Sequence, residues 1–197
     1  MSSEHEPTAQ TAPAPGGRGA PARKVAHLTP DERAARGRAA RNDTPRSSHG
    51  RWEPVANRPD PVALLEEQWQ LAADGTVPTR YGRMLVSPFT FYRGAALIMA
   101  SDLSATPRSG LNAQICGDAH LSNFGVFASP ERQLMFDIND FDETAPGPWE
   151  WDVKRLAASF EIAGRDRGLT PEERRAVVKA GVAEYRDRMQ QMAAARN

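Results

Sequence analysis

Between Leu111 and Glu143 the chain gives up helical periodicity for three short β-type runs, Ala113 to Cys116, Phe124 to Phe127 and Leu134 to Ile138. Ser129-Pro130-Glu131-Arg132 separates the last two as a hairpin turn. On either side, apolar residues recur every three or four positions. Val62, Leu65, Trp69 and Ala72 follow an Asp60-Pro61 start and run to Asp74-Gly75. Phe91, Ala95, Ile98 and Met99 follow Ser87-Pro88 and predict one helix to about Leu103, before a turn from Thr106 to Gly110. Val153, Leu156, Ala157 and Phe160 mark a helix ending near Gly168. Thr170-Pro171-Glu172-Glu173 is then a capping box, and Val178, Val182, Tyr185, Met189 and Met192 carry its stripe almost to Asn197. Pro146-Gly147-Pro148 is expected to block regular structure between the two patterns. The fold class that follows is α+β, mostly helical with a small β-hairpin, with residues 111 to 143 resting on helices from 150 to 195.

Eight of the sixteen prolines precede Asp60, mixed with Ala, Gly, Ser and Arg, and such a composition buries too little apolar surface to offset chain entropy. Residues 1–58 are therefore expected to form a mostly disordered tail, dispensable for folding up to about residue 44, with residues 59–197 as the ordered part. Within the tail, Thr29-Pro30-Asp31-Glu32 predicts a short helix to about Arg41, polar on nearly every face. The basic cluster from Pro45 to Arg51 reads as solvated chain. Basic and acidic residues balance at 25 each, so no global field demands a nucleic acid or an anionic membrane as partner. Cys116 is the lone cysteine, which excludes an intrachain disulfide and a Cys-rich zinc site and fits a reducing cytoplasm. Met1 to Gly19 has no apolar stretch of the secretory type, and Met84 to Ala100, broken by Arg93, falls short of the roughly 20 residues of a membrane span. A soluble cytoplasmic protein with no membrane and no specific nucleic-acid partner is expected.

The polar residues concentrate where the strands meet their loops. Gly117-Asp118-Ala119-His120-Leu121-Ser122-Asn123 leaves one predicted strand, and a hairpin leads on to Phe136-Asp137-Ile138-Asn139-Asp140-Phe141-Asp142-Glu143. Phosphoryl transfer needs an aspartate to accept the hydroxyl proton, with an amide oxygen and a second carboxylate to hold Mg²⁺. Asp118 and Asn123 have the spacing of such a catalytic loop. Asp137 or Asp140 is the second metal ligand. Asp137 ends the run Leu134-Met135-Phe136, whereas Asp140-Phe141 reproduces a metal-binding Asp-Phe dipeptide, and Asp140 is preferred. Arg83 and Arg93 are candidate bidentate phosphate donors, with ion pairs to the acidic segment as the other role open to them.

This loop resembles Gly-Asp-x-His-x-x-Asn of the aminoglycoside and choline phosphotransferases, of the protein-kinase-like superfamily, with Cys116 where those families usually carry His. The resemblance implies Asp118 as base, Asn123 as metal ligand and His120 as a residue orienting the loop. It implies Mg²⁺ or Mn²⁺ as cofactor, and a nucleotide and a small-molecule acceptor as partners. From Pro45 to Met189 the sequence also resembles the domain-of-unknown-function 2252 proteins of bacteria. That likeness rests on Pro45 to His49, Arg80 to Met84, Ser87-Pro88-Phe89, Tyr92-Arg93-Gly94, Cys116 to Asn123, Phe136 to Glu143 and Glu150 to Leu156. It implies a kinase-like catalytic (C-terminal) lobe, followed in the longer family members by the Gly-rich strands and strand lysine of a nucleotide lobe. Lys24, Lys154 and Lys179 are the only lysines, one in the tail and two on predicted helices, and Gly16-Gly17-Arg18-Gly19 lacks flanking strands. An incomplete domain is thus expected, inactive alone, with ATP as ligand only if a missing lobe, such as a second half encoded downstream, is supplied.

Plainer roles stand beside these. Asp118 and Asn123 can cap a strand-end turn, and His120 can be a buried hydrogen-bonded residue. Asp142 and Glu143 can be a solvated turn, and Trp149, Trp151 and Phe160 core packing. Cys116 reads as a small buried residue with no activating partner. A non-catalytic scaffold is the rival function. A two-metal phosphoesterase, suggested by Asp118-Ala119-His120, would need further histidines, and none follows His120.

Overall fold

A computed structural model describes residues 28–70, 75 and 77–195. The elements are α1 (Pro30–Asp43), α2 (Pro61–Gln70), α3 (Val77–Met84), α4 (Pro88–Arg93), α5 (Ala96–Ser104), β1 (Asn112–Ile115), β2 (Phe124–Ala128), β3 (Leu134–Ile138), β4 (Ala145–Pro148), α6 (Trp149–Asp166) and α7 (Pro171–Ala194), with 3-10 turns at Arg46–Gly50 and Leu121–Asn123. The architecture is α+β and mostly helical. Residues 1–27, with Lys24 and the Gly16 to Gly19 cluster, lie outside the described residues, as do Ala72 and Asp74 at the expected end of α2.

The helix starts follow their capping chemistry. The hydroxyls of Thr29, Ser87 and Thr170 each accept a hydrogen bond from the backbone amide three residues on, and their own amides donate to that residue's side chain, with proline in the first turn. Asp60 Oδ1 accepts from the amides of Val62 and Ala63 at the head of α2. The expected helix from Ser87 to Leu103 is two helices, since α4 ends at Gly94 and α5 begins at Ala96. Gly94 allows Met84 to pass close: a Cβ there would sit 2.6 Å from Met84 Sδ. Met84 joins Leu65, Trp69, Ala95 and Ile98 in the buried core, with Tyr81 edge-on to Trp69 at 4.1 Å. The helix α3, which supplies Met84, Tyr81 and Val77 to this core, carries no long apolar stripe and is a finding of the structure.

Two antiparallel pairs make up the β part, β1 with β4 and β2 with β3. Pro146-Gly147-Pro148 is therefore a strand, contrary to expectation, pairing Asn112 with Pro148 and Ala113 with Gly147. Prolines suit it because, among the described residues, β4 has a partner on one side only, so their missing amides can face away from the ladder. Gly147 lets the strands close, since a Cβ there would lie 2.7 Å from Ile115 Cδ1.

The helix α6 packs against α4, α5, α7, β1 and the 3-10 turn at Leu121. It supports β1 and the loop after it. The hairpin β2–β3, expected to rest on the helices, instead leaves Val126, Leu134 and Phe136 64–80% exposed. Stretches ahead of α2 also touch the body. Thr44 Oγ1 donates to the Arg108 carbonyl at 3.0 Å, and Arg58 holds both oxygens of Asp102 at 2.6 and 2.9 Å.

Candidate functional site

The strand register explains which loops meet. Ile115 pairs with Ala145 at the end of the β1–β4 ladder, and Phe124 pairs with Ile138 at the start of the β2–β3 ladder. The segments 116–123 and 139–144 must then run side by side between the two ladders. Asn139 N donates to the Asn123 carbonyl at 2.9 Å, and Thr144 Oγ1 donates to the Ile115 carbonyl at 2.7 Å.

Buried Asn123 ties the two segments together, its Nδ2 donating to the carbonyls of Asp118 and Asp140, each at 3.1 Å. The buried Cys116 thiol donates to the same Asp140 carbonyl at 3.6 Å. Burial pushes that thiol up, opposite to the shift a nucleophile needs. Gly117 takes φ +84° against the Glu143 carbonyl, a space with no room for a Cβ.

Asp118, His120 and Asp140 line one cleft of about 850 Å³, together with Arg80, Arg83 and Arg93 from α3 and α4. Asp137 is not among the lining residues. It lies opposite Gly125 on β3, exposed, with Oδ1 accepting from the Ile138 amide. Asp140 turns Oδ1 toward the Asp142 amide at 3.1 Å. His120 is buried, with Nε2 3.5 Å from Asp118 Oδ2 and a buried Nδ1 that has no partner. Burial holds its imidazole below the usual range, helped by Arg155 and Arg93 and opposed by Asp118. The carboxyl of Glu143 is pushed up by burial and by Asp118 and Asp140 beside it. Negative charge is thus crowded at the junction of the two segments. Among the described residues, no group of three or more His, Cys, Asp or Glu stands ready to hold a metal ion.

The residues that hold the loop come mostly from α6. The guanidinium of Arg155, 2% exposed, clasps Asp118 Oδ1. Its Nη2 donates to the Tyr92 carbonyl at 2.9 Å, its Cζ lies 4.4 Å from the Tyr92 ring centroid, and the Tyr92 hydroxyl donates back to the Arg155 carbonyl at 2.8 Å. Burial pushes the Tyr92 phenol up to about 12, so it stays a donor. Asp152 accepts from the amides of Cys116 at 2.7 Å and Gly117 at 3.0 Å, and Ser159 Oγ accepts from Leu121 N at 3.0 Å. Sequence alone assigns none of these residues a role in the site. The available signal was polar residues at 152, 155 and 159, spaced three and four apart on a helix face that packs inward.

These features define an α+β chain in which a strand-end loop and a hairpin exit share one cleft. The chain belongs to the family described as uncharacterized protein conserved in bacteria (DUF2252), whose model matches residues 73–197. No curated protein and no solved structure matched the chain. No described helix is long and apolar enough to cross a membrane.

Proposed function

We propose that this chain carries the base and metal-binding half of a kinase-like phosphotransfer site. The observation that carries the reading is the meeting of Asp118, His120 and Asp140 in one cleft walled by arginines. Asp118 is the base: Arg155 fixes Oδ1 and leaves Oδ2 beside His120. Arg83 and Arg93 face the phosphates of a nucleotide, or a phosphorylated small-molecule acceptor, and His120 orients the loop. Two carboxylates in one cleft without a ready cage suit Mg²⁺ or Mn²⁺, which keep waters and take phosphate oxygens as further ligands, better than a closed zinc or calcium site. Asp140 in the cleft and buried Asn123, which is not among the lining residues and ties the Asp118 and Asp140 carbonyls, are the proposed protein ligands, and such an ion would neutralise charge on the transferring group. ATP is the phosphoryl donor that this reading implies. A cytoplasmic setting completes the reading.

A non-catalytic scaffold is the second reading, favoured by the Arg155 clasp on Asp118 and the absence of a three-ligand cluster among the described residues. Thermal melting of wild type and Asp140→Asn with millimolar Mg²⁺ or Mn²⁺ separates the two, since a ligand bound only to the native state raises its stability. Wild type is expected to gain a few degrees and Asp140→Asn to gain nothing. A wild-type melt unmoved by either ion, or a full shift in Asp140→Asn, favours the scaffold.

A further inference from the structure

A second cavity of about 560 Å³ has Tyr92 in its wall and shares no lining residue with the cleft of Asp118. Its walls are apolar, built from Phe91, Ala95, Ile98, Leu103, Ala158 and Ile162. That volume falls within the roughly 300–1,000 Å³ of small-molecule sites, which are mostly apolar with a few polar groups that fix orientation. The cations at its wall are Lys154 and Arg51, while burial and Lys154 hold the His49 imidazole below its usual range, toward the neutral form. Lys154, Arg51 and His49 line the cavity, and the single acid among the lining residues, Asp102, has both oxygens committed to Arg58.

Lys154 is the group that defines the ligand. Its Nζ has three protons and makes one hydrogen bond, to Thr106 Oγ1 at 3.1 Å. The acid whose charge bears on it, Glu150, is buried, with Oε1 accepting from the Ser109 amide at 2.7 Å and Oε2 without a hydrogen-bond partner. Burial holds the ammonium below its usual range, a penalty that an anion arriving beside it would relieve. His49, on the same wall, has a buried Nδ1 without a partner.

We propose that this cavity binds a small amphiphile with one apolar chain or ring system and a single carboxylate, the apolar part against Phe91, Ile98 and Ile162 and the carboxylate on Lys154. Such a ligand would lean on Tyr92 and Met99, which also line the cavity and touch Arg155, and Arg155 clasps Asp118. Binding there therefore stiffens the loop without entering the cleft. The inference stands apart from the phosphotransfer reading, since neither a metal nor a nucleotide takes part.

Monomeric decanoate and the neutral decanol, titrated into the full chain, test it by thermal melting and by the fluorescence of Trp52, which lines the cavity. Decanoate is expected to raise the melting temperature saturably and to change the fluorescence. Decanol should bind at least tenfold more weakly. Lys154→Met should bring decanoate down to the level of decanol, and Ala158→Phe, which fills the cavity, should weaken both. Equal affinity for acid and alcohol, or decanoate binding unchanged in Lys154→Met, overturns the carboxylate site. No response from wild type, or saturable binding that survives in Ala158→Phe, overturns the cavity as the site.

Discussion

Asp118 has its place because Arg155 and Gly117 leave it no other. The guanidinium is almost wholly buried, and a buried charge is tolerated when it is paired and its remaining protons are satisfied, as Tyr92 does here. Gly117 bends the chain into the left-handed region where it meets the Glu143 backbone. Replacing it by alanine combines an unfavourable φ with a clash against backbone, and backbone cannot rotate aside. Gly94 is crowded too, but by the thioether of Met84, which has other rotamers. Gly117→Ala is thus expected to cost about 2–3 kcal/mol in urea unfolding and Gly94→Ala about 1 kcal/mol or less. A Gly117→Ala protein as stable as wild type would show that the loop has another conformation open to it. The glycine, the aspartate and the asparagine were legible as a loop from spacing alone. Arg155 was not, because a single basic residue on an amphipathic helix normally reads as solvent-facing.

At the scale of elements, the starts of α1, α2, α4 and α7 and the β2–β3 hairpin were readable because capping residues and a proline turn are local chemistry, decided within four residues. What was missed depends on contacts distant in sequence. The strand β4 exists because β1 offers it a ladder, against the local preference of Pro146 and Pro148, and the break at Gly94 exists because Met84 must pass. The helix α6 likewise looks like an ordinary amphipathic helix in sequence, yet its first turns do the work of a loop cap. Asp152 satisfies two amides and Ser159 a third. Removing an acceptor leaves buried donors unpaired at about 1–3 kcal/mol each. Asp152→Ala should therefore lower stability by about 2–4 kcal/mol, and hydrogen exchange at Cys116 and Gly117 should speed up markedly while exchange within β2–β3 stays as it is. Equal acceleration throughout would mean that Asp152 supports the whole fold and not the loop in particular.

Across the whole molecule, apolar surface is unevenly covered. One face of the hairpin consists of Phe124, Val126 and Ala128 on β2 with Ile138, Phe136 and Leu134 opposite them, and Val126, Phe136 and Leu134 are 64%, 70% and 80% exposed. Sequence patterning foresaw these strands but placed them on the helices, because period-two apolar residues ordinarily mark a face turned to the core. An open patch of this kind beside two unpaired strand edges favours association with another surface. In isolation the chain should therefore bind an anilinonaphthalene dye and sediment with a weight that rises with concentration. Val126 and Phe136 are direct register partners, so Val126→Glu with Phe136→Lys replaces an apolar cross-strand pair by an oppositely charged one that keeps the ladder. The double variant should lose most of the dye signal and remain monomeric, with a melting temperature within a few degrees of wild type, since exposed substitutions change stability little, by about 0.5 kcal/mol or less. If instead the wild type is monomeric at every concentration and leaves the dye dark, the face is self-sufficient and no second lobe or partner need cover it. If the double variant unfolds, the face is already packed within the chain.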